Sequence, residues 1–212
     1  MNSGKNILLV DDHLVVRKGV EMIFKANISN ATVYNSEDYI QALEVLRVVQ
    51  MDIVLLDINI NGTENIKIMK EIKSIQPNVK ILIFSSHEES QYGLRYIQNG
   101  ADGYLNKFCS ENLILKAVNE IFQKGSYYSK DTKEKLVAKS KNKNTITTID
   151  SLSNREFEIA QLLINGYGNL EISNKLEIKM STVSTYKNRI FEKLNISNIV
   201  TLSDLFKENI SK

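Results

Sequence analysis

At 212 residues, with 25% charged side chains and a mean hydropathy of −0.22, the chain fits two soluble globular domains, each with its own core. The net charge of +2 divides into −2 over residues 1–124 and +4 over 125–212, and it is neutral from 149 onward, so bulk charge gives no nucleic-acid signature. No apolar run approaches the ~18 residues of a membrane span, and the short polar start, MNSGKN, does not read as a signal peptide.

The first strand is expected at 6–11 (NILLVD), followed by strands at 31–34, 51–57, 79–85 and 102–106. Amphipathic helices are expected between them, near 13–26, 36–49, 64–75 and 88–99, with a fifth at 111–124. The only proline, Pro77, sits just past the third helix as a stop signal. Strands alternating with helices over short connections imply a parallel sheet covered on both faces, a doubly wound α/β domain over 1–124. The single cysteine, Cys109, excludes an internal disulfide, suits a reducing cytoplasm and reads as a small buried hydrophobe. With two histidines, His13 and His87, read as loop residues, the chain lacks the usual ligands of a zinc site.

Open parallel sheets bind ligands beyond the carboxyl ends of their strands, where the strand order reverses. For the order 2-1-3-4-5, Asp11 and Asp12 end strand 1, Asp57 ends strand 3, Ser85 ends strand 4 and Lys107 follows strand 5. All five converge on one edge. Two unit charges ~4 Å apart repel by about 4 kcal/mol at an effective dielectric of ~20, so three carboxylates call for protonation or for a bound cation. Their hard oxygens, with the main-chain carbonyl of Asn59, suit Mg²⁺. Ser85 adds a hydroxyl donor and Lys107 a point charge, which is equipment for a phosphoryl group with Asp57 as the nucleophile. Ser85 and Lys107 are expected to gain partners only when that group is present.

Residues 5–124 resemble the receiver domain of two-component response regulators through "LLVDDH", "DIVLLDI", "ILIFSSH" and "GADGYLNK". The resemblance implies that Asp57 accepts phosphate from a sensor histidine kinase and that Asp11 and Asp12 hold Mg²⁺. It also implies that Ser85 and Lys107 contact the phosphoryl group and that Tyr104 is the switch aromatic. The chain departs from the pattern after Asp57, where Ile60, Asn61 and Glu64 replace the usual Met-Pro and glycine. Ser86 stands for alanine, and Phe108 replaces the proline after the lysine, leaving the geometry of the 107–108 peptide open.

The join over 125–150 carries six lysines, a short extra helix expected at 129–139 and packed by Tyr127 and Tyr128, and a patternless stretch, SKNKNTITTIDS, that reads as a linker. From 151 to 212 an all-α bundle is expected, with helices near 153–165, 169–176, 180–194 and 198–208. Ser153 with Glu156 forms a capping box, and the short second helix carries Leu170, Ile172 and Leu176. The long helix turns Val183, Ile190 and Leu194 inward. It leaves Ser181, Ser184, Thr185, Asn188 and Glu192 on the opposite side, flanked by Lys187 and Arg189. Small polar residues among basic ones suit a helix in a DNA major groove.

This segment resembles the LuxR-type helix-turn-helix of the NarL/FixJ response regulators, through "LSNRE", "GYGNLEISNKL" and "TVSTYKNRIFEKL". By position, Ser184, Thr185 and Asn188 read bases, with Lys187 and Arg189 on phosphates. The combined reading is a cytoplasmic, phosphorylation-switched transcription factor that binds double-stranded promoter DNA, as a homodimer on phosphorylation or on DNA. The competing classes are weaker. A phosphohydrolase with an Asp nucleophile needs an acid two residues on, where Asn59 stands, and a flavin binder does not place two aspartates after strand 1. A receiver acting through RNA or protein contacts is the remaining alternative.

Overall fold

Strands β1 (Lys5–Val10), β2 (Ala31–Ser36), β3 (Ile53–Leu56), β4 (Lys80–Ser85) and β5 (Gly103–Asn106) form one parallel sheet in the order β2-β1-β3-β4-β5. This is seen in a computed structural model that describes residues 4–58, 60, 65–140 and 148–210. Successive side chains of a strand point to opposite faces, so each strand must be apolar throughout when both faces are covered. Ile7, Leu9, Ile53 and Leu55 pack with Val20 and Phe24 of α1 (Leu14–Asn27) and with Ile114, Val118 and Ile121 of α5 (Glu111–Lys124). Leu8, Val10, Val54 and Leu56 are sealed on the opposite face. On that side run α2 (Tyr39–Val48), α3 (Asn65–Ile75) and α4 (Glu89–Gln98), as right-handed crossovers require.

The boundaries differ from expectation where a specific bond decides them. Helix α2 starts three residues late, because β2 runs on to Ser36 opposite Val10 and the Asp38 carboxylate caps α2 by accepting from the Gln41 amide (2.9 Å). Strand β3 ends at Leu56, which leaves Asp57 just past the strand end. Gly125, at φ +82°, closes α5 in the left-handed region. Cys109 is half-buried against the core rather than inside it.

Tyr127 belongs to the core of the sheet unit. It is buried and bridges Gly103 in parallel, with its amide donating to Asp102 O (2.9 Å), so it covers the open edge of β5. A Cβ on Gly103 would lie 2.9 Å from both Leu82 Cδ1 and Tyr127 O, so only glycine permits this approach. Helix α6 follows (Lys130–Ser140). The chain divides into two compact units, Met1–Leu136 and Val137–Lys212. The join over 125–150 is therefore not uniform: its first part, through Leu136, belongs to the sheet unit, and 141–147 lie outside the described residues.

In the second unit a 3-10 turn (Thr148–Ser151) leads to α7 (Asn154–Ile164), α8 (Asn169–Lys175), α9 (Met180–Leu194) and α10 (Ile199–Ile210). The capping box forms as expected: Ser153 Oγ accepts from the Glu156 amide (3.3 Å), and Ser153 N donates to Glu156 Oε2 (2.7 Å). Phe157 of α7 stacks on Phe206 of α10 at 5.4 Å, over a core that includes the fully buried Ile159, Ile172, Val183, Ile190 and Leu202. Among the described residues, no helix is long and apolar enough to cross a membrane.

Candidate phosphoacceptor pocket and DNA-facing helix

The register of the sheet builds the pocket. Val10 and Leu56 pair at the carboxyl edge, so the residues that follow them, Asp11 and Asp57, leave the sheet side by side. Main-chain bonds hold both: the Asp57 amide donates to Val10 O (2.8 Å) and the Asp11 amide to Ser36 O (3.1 Å). Asp57 is 1% exposed and Asp11 4%, whereas Asp12 faces solvent. Ser85 and Lys107 arrive from β4 and β5, tied by a bond from Lys107 N to Ser85 O (2.7 Å).

Lys107 dominates the electrostatics. Its Nζ lies 2.7 Å from Asp11 Oδ2 and 2.9 Å from Asp57 Oδ2. Burial pulls its pKa down, but the Asp11 and Asp57 carboxylates outweigh burial and hold it above the ordinary value. The ammonium is thus clamped between two carboxylates, and the expectation that it gains a partner only with phosphate is corrected. Ser85 is corrected likewise: it is fully buried, and its Oγ already accepts from the His87 amide (3.1 Å). The reason is general, since a buried polar group left unpaired costs about 1–3 kcal/mol.

One ammonium does not balance three carboxylates. Donor atoms of Asp11, Asp12, His13 and Asp57 all lie within 4.8 Å of one another. Ligands ~2.1 Å from an octahedral ion stand about 3 Å apart in cis and about 4.2 Å in trans, so small side-chain turns would close this set on Mg²⁺. Asn59, whose carbonyl was to complete it, lies outside the described residues, as do Asn61 and Glu64.

Two members of the pocket were missed. His13 is no idle loop residue: its Nδ1 is 2.6 Å from Asp12 Oδ1 and 3.2 Å from Asp11 Oδ1. Its adjacency to the acidic pair was the available signal, because the start of α1 at Leu14 turns the ring back over them. Arg17, one turn into α1 and buried, donates from its guanidinium to the Asp11 carbonyl. An arginine on the apolar side of a helix was the only hint.

Tyr104 is fully buried, and its hydroxyl donates to His87 O at 3.0 Å. Burial above all raises its phenol pKa and keeps it a neutral donor. Ile60 is buried, and Ser86 is exposed. Phe108 is 84% exposed, and the described residues contain no cis peptide, so the 107–108 bond is trans.

In the second unit, Glu177 takes a left-handed φ of 51° between α8 and α9, and Ser173 Oγ donates across the turn to Ile178 O (2.6 Å). Along α9, Ser181, Thr185, Asn188, Arg189 and Glu192 are exposed, and Lys187 is half-buried. Ser184 is only half-exposed, since its Oγ accepts from Asn169 Nδ2 of α8 (3.1 Å) and donates to Met180 O (3.2 Å). It locks the two helices together. Thr185 spends its own proton on Ser181 O (2.9 Å), leaving lone pairs outward. Lys187 and Arg189 lie over the Phe191 and Tyr186 rings at 5.7 and 6.0 Å. Leu170 is 63% exposed, unlike its fully buried neighbour Ile172.

The fold and pocket define a receiver-type signalling unit followed by a helix-turn-helix unit. Residues 7–119 match the response regulator receiver domain, and residues 150–206 match the luxR family of bacterial regulatory proteins. The chain belongs to the response regulators, as a receiver joined to a LuxR-type helix-turn-helix domain. It is 33% identical over 202 residues to the Fimbriae Z protein of Escherichia coli K12, covering 95% of this chain and 96% of that protein. It is 32% identical over 199 residues to the response regulator GacA of Pseudomonas aeruginosa, covering 93% and 92%. Among solved structures, the Salmonella typhimurium RcsB response regulator shares the fold, with a TM-score of 0.60 at 22% identity over 98% of each chain.

Proposed function

We propose that phosphorylation of Asp57 switches this response regulator between states that differ in binding to double-stranded promoter DNA through α9. The observation that carries the reading is the clamp itself: a carboxylate 1% exposed at the end of β3, held 2.9 Å from the ammonium of Lys107. Asp57 is a nucleophile without an acid behind it, since position 59 is asparagine, so the chain acts as a regulator and not as a phosphohydrolase. Asp11, Asp12 and Asp57 would hold Mg²⁺, with His13 beside them and with Asn59 as the carbonyl ligand expected from the sequence, and the ion would neutralise phosphoryl oxygens.

In the transfer, an Asp57 oxygen attacks the phosphorus of a phosphohistidine on a sensor kinase. The P–N bond breaks, and its electron pair returns to the imidazole of the kinase. The product is an acyl phosphate, whose charge lies farther from the sheet than the carboxylate it replaces. Lys107 follows that charge to a phosphoryl oxygen, and Ser85 turns its hydroxyl from internal service to the same group. Moving a two-state equilibrium from 1:99 to 99:1 takes about 5.5 kcal/mol of differential interaction, an order that one ion pair and one charged hydrogen bond supply.

On DNA, two copies on a two-fold site double the contacts of a small reading head. Asn188 is the base reader, because it is exposed and makes no side-chain hydrogen bond among the described residues. Thr185 and Ser181 flank it, and Lys187 and Arg189 hold phosphates. Ser184 serves chiefly to set α9 on α8. The test is a salt titration of the full chain, treated with acetyl phosphate, on a native promoter site and on a scrambled duplex. Lys187→Ala should weaken both complexes alike and lower the salt slope by about one. Asn188→Ala should cost about 1–3 kcal/mol on the native site alone. The reverse pattern would show that this face has been misassigned.

A further inference from the structure

Helix α6 turns back to the receiver and locks onto α4. Thr132, in its first turn, is 2% exposed and donates from Oγ1 to Glu89 Oε1 at 2.6 Å. Ser129, just before the helix, donates from Oγ to Thr132 Oγ1 (3.1 Å) and accepts from the Thr132 amide (3.2 Å). Lys135 Nζ adds a longer bond to Ser90 O (3.4 Å). Among the described side chains of α6, Thr132 alone is buried.

Glu89 connects this contact to the pocket. It opens α4 two residues after His87, whose amide donates to Ser85 Oγ (3.1 Å). The His87 carbonyl accepts from Tyr104 Oη (3.0 Å) and Asn106 Nδ2 (3.2 Å). A Cβ on Gly93 would lie 2.7 Å from Glu89 Cγ and 3.7 Å from Tyr104 Cγ. Glycine at 93 therefore lets the Glu89 stem lie flat on α4 beside the Tyr104 ring. A continuous path runs Ser85–His87–Glu89–Thr132.

We propose that the Glu89–Thr132 bond is a latch that holds α6 on the receiver at rest and opens when Asp57 is phosphorylated. The inference rests on Asp57 being the phosphoacceptor. When the Ser85 side chain swings toward the phosphoryl group, its Oγ moves away from the His87 amide that it accepts from, and the 86–88 segment follows or loses that bond. That rearrangement moves the first turn of α4 and draws Glu89 off Thr132. An eleven-residue helix is marginal in water without a packed face, so α6 loosens once its one buried side chain is released. The latch thus passes the state of the pocket into the segment that leads to the helix-turn-helix unit.

Hydrogen exchange of the full chain, with and without acetyl phosphate, reads the latch through the amides of 133–137, while intact mass reads the acyl phosphate in the same samples. Phosphorylation should speed exchange of these amides about tenfold, the scale set by one hydrogen bond to a charged group. Thr132→Val, of the same shape without a donor, should exchange fast in both states and label as wild type does. Glu89→Gln, which keeps an acceptor, should retain the switch, and Glu89→Ala should lose it; this second pair covers a Thr132→Val chain that fails to fold. Wild type that labels without faster exchange at 133–137 overturns the latch alone, as does a Thr132→Val chain that switches normally. Wild type that does not label overturns the phosphoacceptor reading and the latch together.

Discussion

Lys107 and Lys193 both meet buried carboxylates, yet the two sites are built to opposite ends. Lys193 Nζ lies 2.7 Å from Glu156 Oε2, and the same oxygen accepts from Ser153 N (2.7 Å), so one carboxylate meets one ammonium and one amide. Burial raises the Glu156 pKa, but the Lys193 and Ser153 bonds outweigh it and leave the group below its ordinary value. That site is closed. Around Lys107, two buried carboxylates share one ammonium while Asp12 and His13 crowd the rim, so three carboxylates outnumber the two fixed cations, Lys107 and Arg17. A satisfied cluster specifies structure, whereas an excess of carboxylates is the kind of charge imbalance that clusters at functional sites.

The largest expected effect breaks the open site outright. Asp57→Asn should abolish labelling by acetyl phosphate, read by intact mass, because an amide is a poor nucleophile. Its thermal midpoint should not fall, since one of two like charges is gone. Lys107→Ala instead leaves Asp11 and Asp57 facing each other. With like charges ~4 Å apart repelling by about 4 kcal/mol at a dielectric of ~20, urea unfolding in EDTA should show a loss of about 2–4 kcal/mol. Millimolar Mg²⁺ should restore most of it. A loss indifferent to Mg²⁺ would mean that no cation enters the pocket.

The closed site should answer differently. Lys193→Met should cost about 1.5–3 kcal/mol, the range for a hydrogen bond to a charged group, with no rescue by Mg²⁺ and no change in labelling. Loss of labelling there would erase the contrast between the clusters. The smallest effect is the pH dependence of Glu156. Its folded pKa lies below the ordinary 4.5, so its contribution is fully present above pH 4.5 and is lost as the pH falls through the folded value. The stability gap between wild type and Glu156→Gln, measured in urea, should hold from pH 7 to 5 and shrink below 4.5. A gap that widened on acidification would reverse the assigned direction.

These elements were legible in the sequence to different degrees. Helices α5 and α9 begin and end as expected, because each has an apolar stripe of the right period, and glycine or asparagine in the left-handed region closes it. The start of α2 was missed, since β2 continues to Ser36 only because Val10 lies opposite it. Leu170 is exposed on the same short helix as the buried Ile172, and Ser184, which by position looked like a base reader, braces α8. Periodicity states which face a residue occupies, not which neighbour that face meets.

Asp11, Asp57, Ser85 and Lys107 were legible because four strand ends in a parallel sheet must share one edge, whatever the detail of the packing. The alternation of strands and helices, the four strand-end residues of the pocket and the helix-turn-helix period are consequences of local pattern, and the sequence by itself determined them. Only the tertiary structure decided that Lys107 is already clamped between two carboxylates, that His13 folds back on the acidic pair, and that Thr132 of the linker reaches Glu89. These contacts join residues through distance and burial. Hydrogen bonds and ion pairs act over about 3 Å, and no spacing along the chain encodes a separation that the folded packing alone creates.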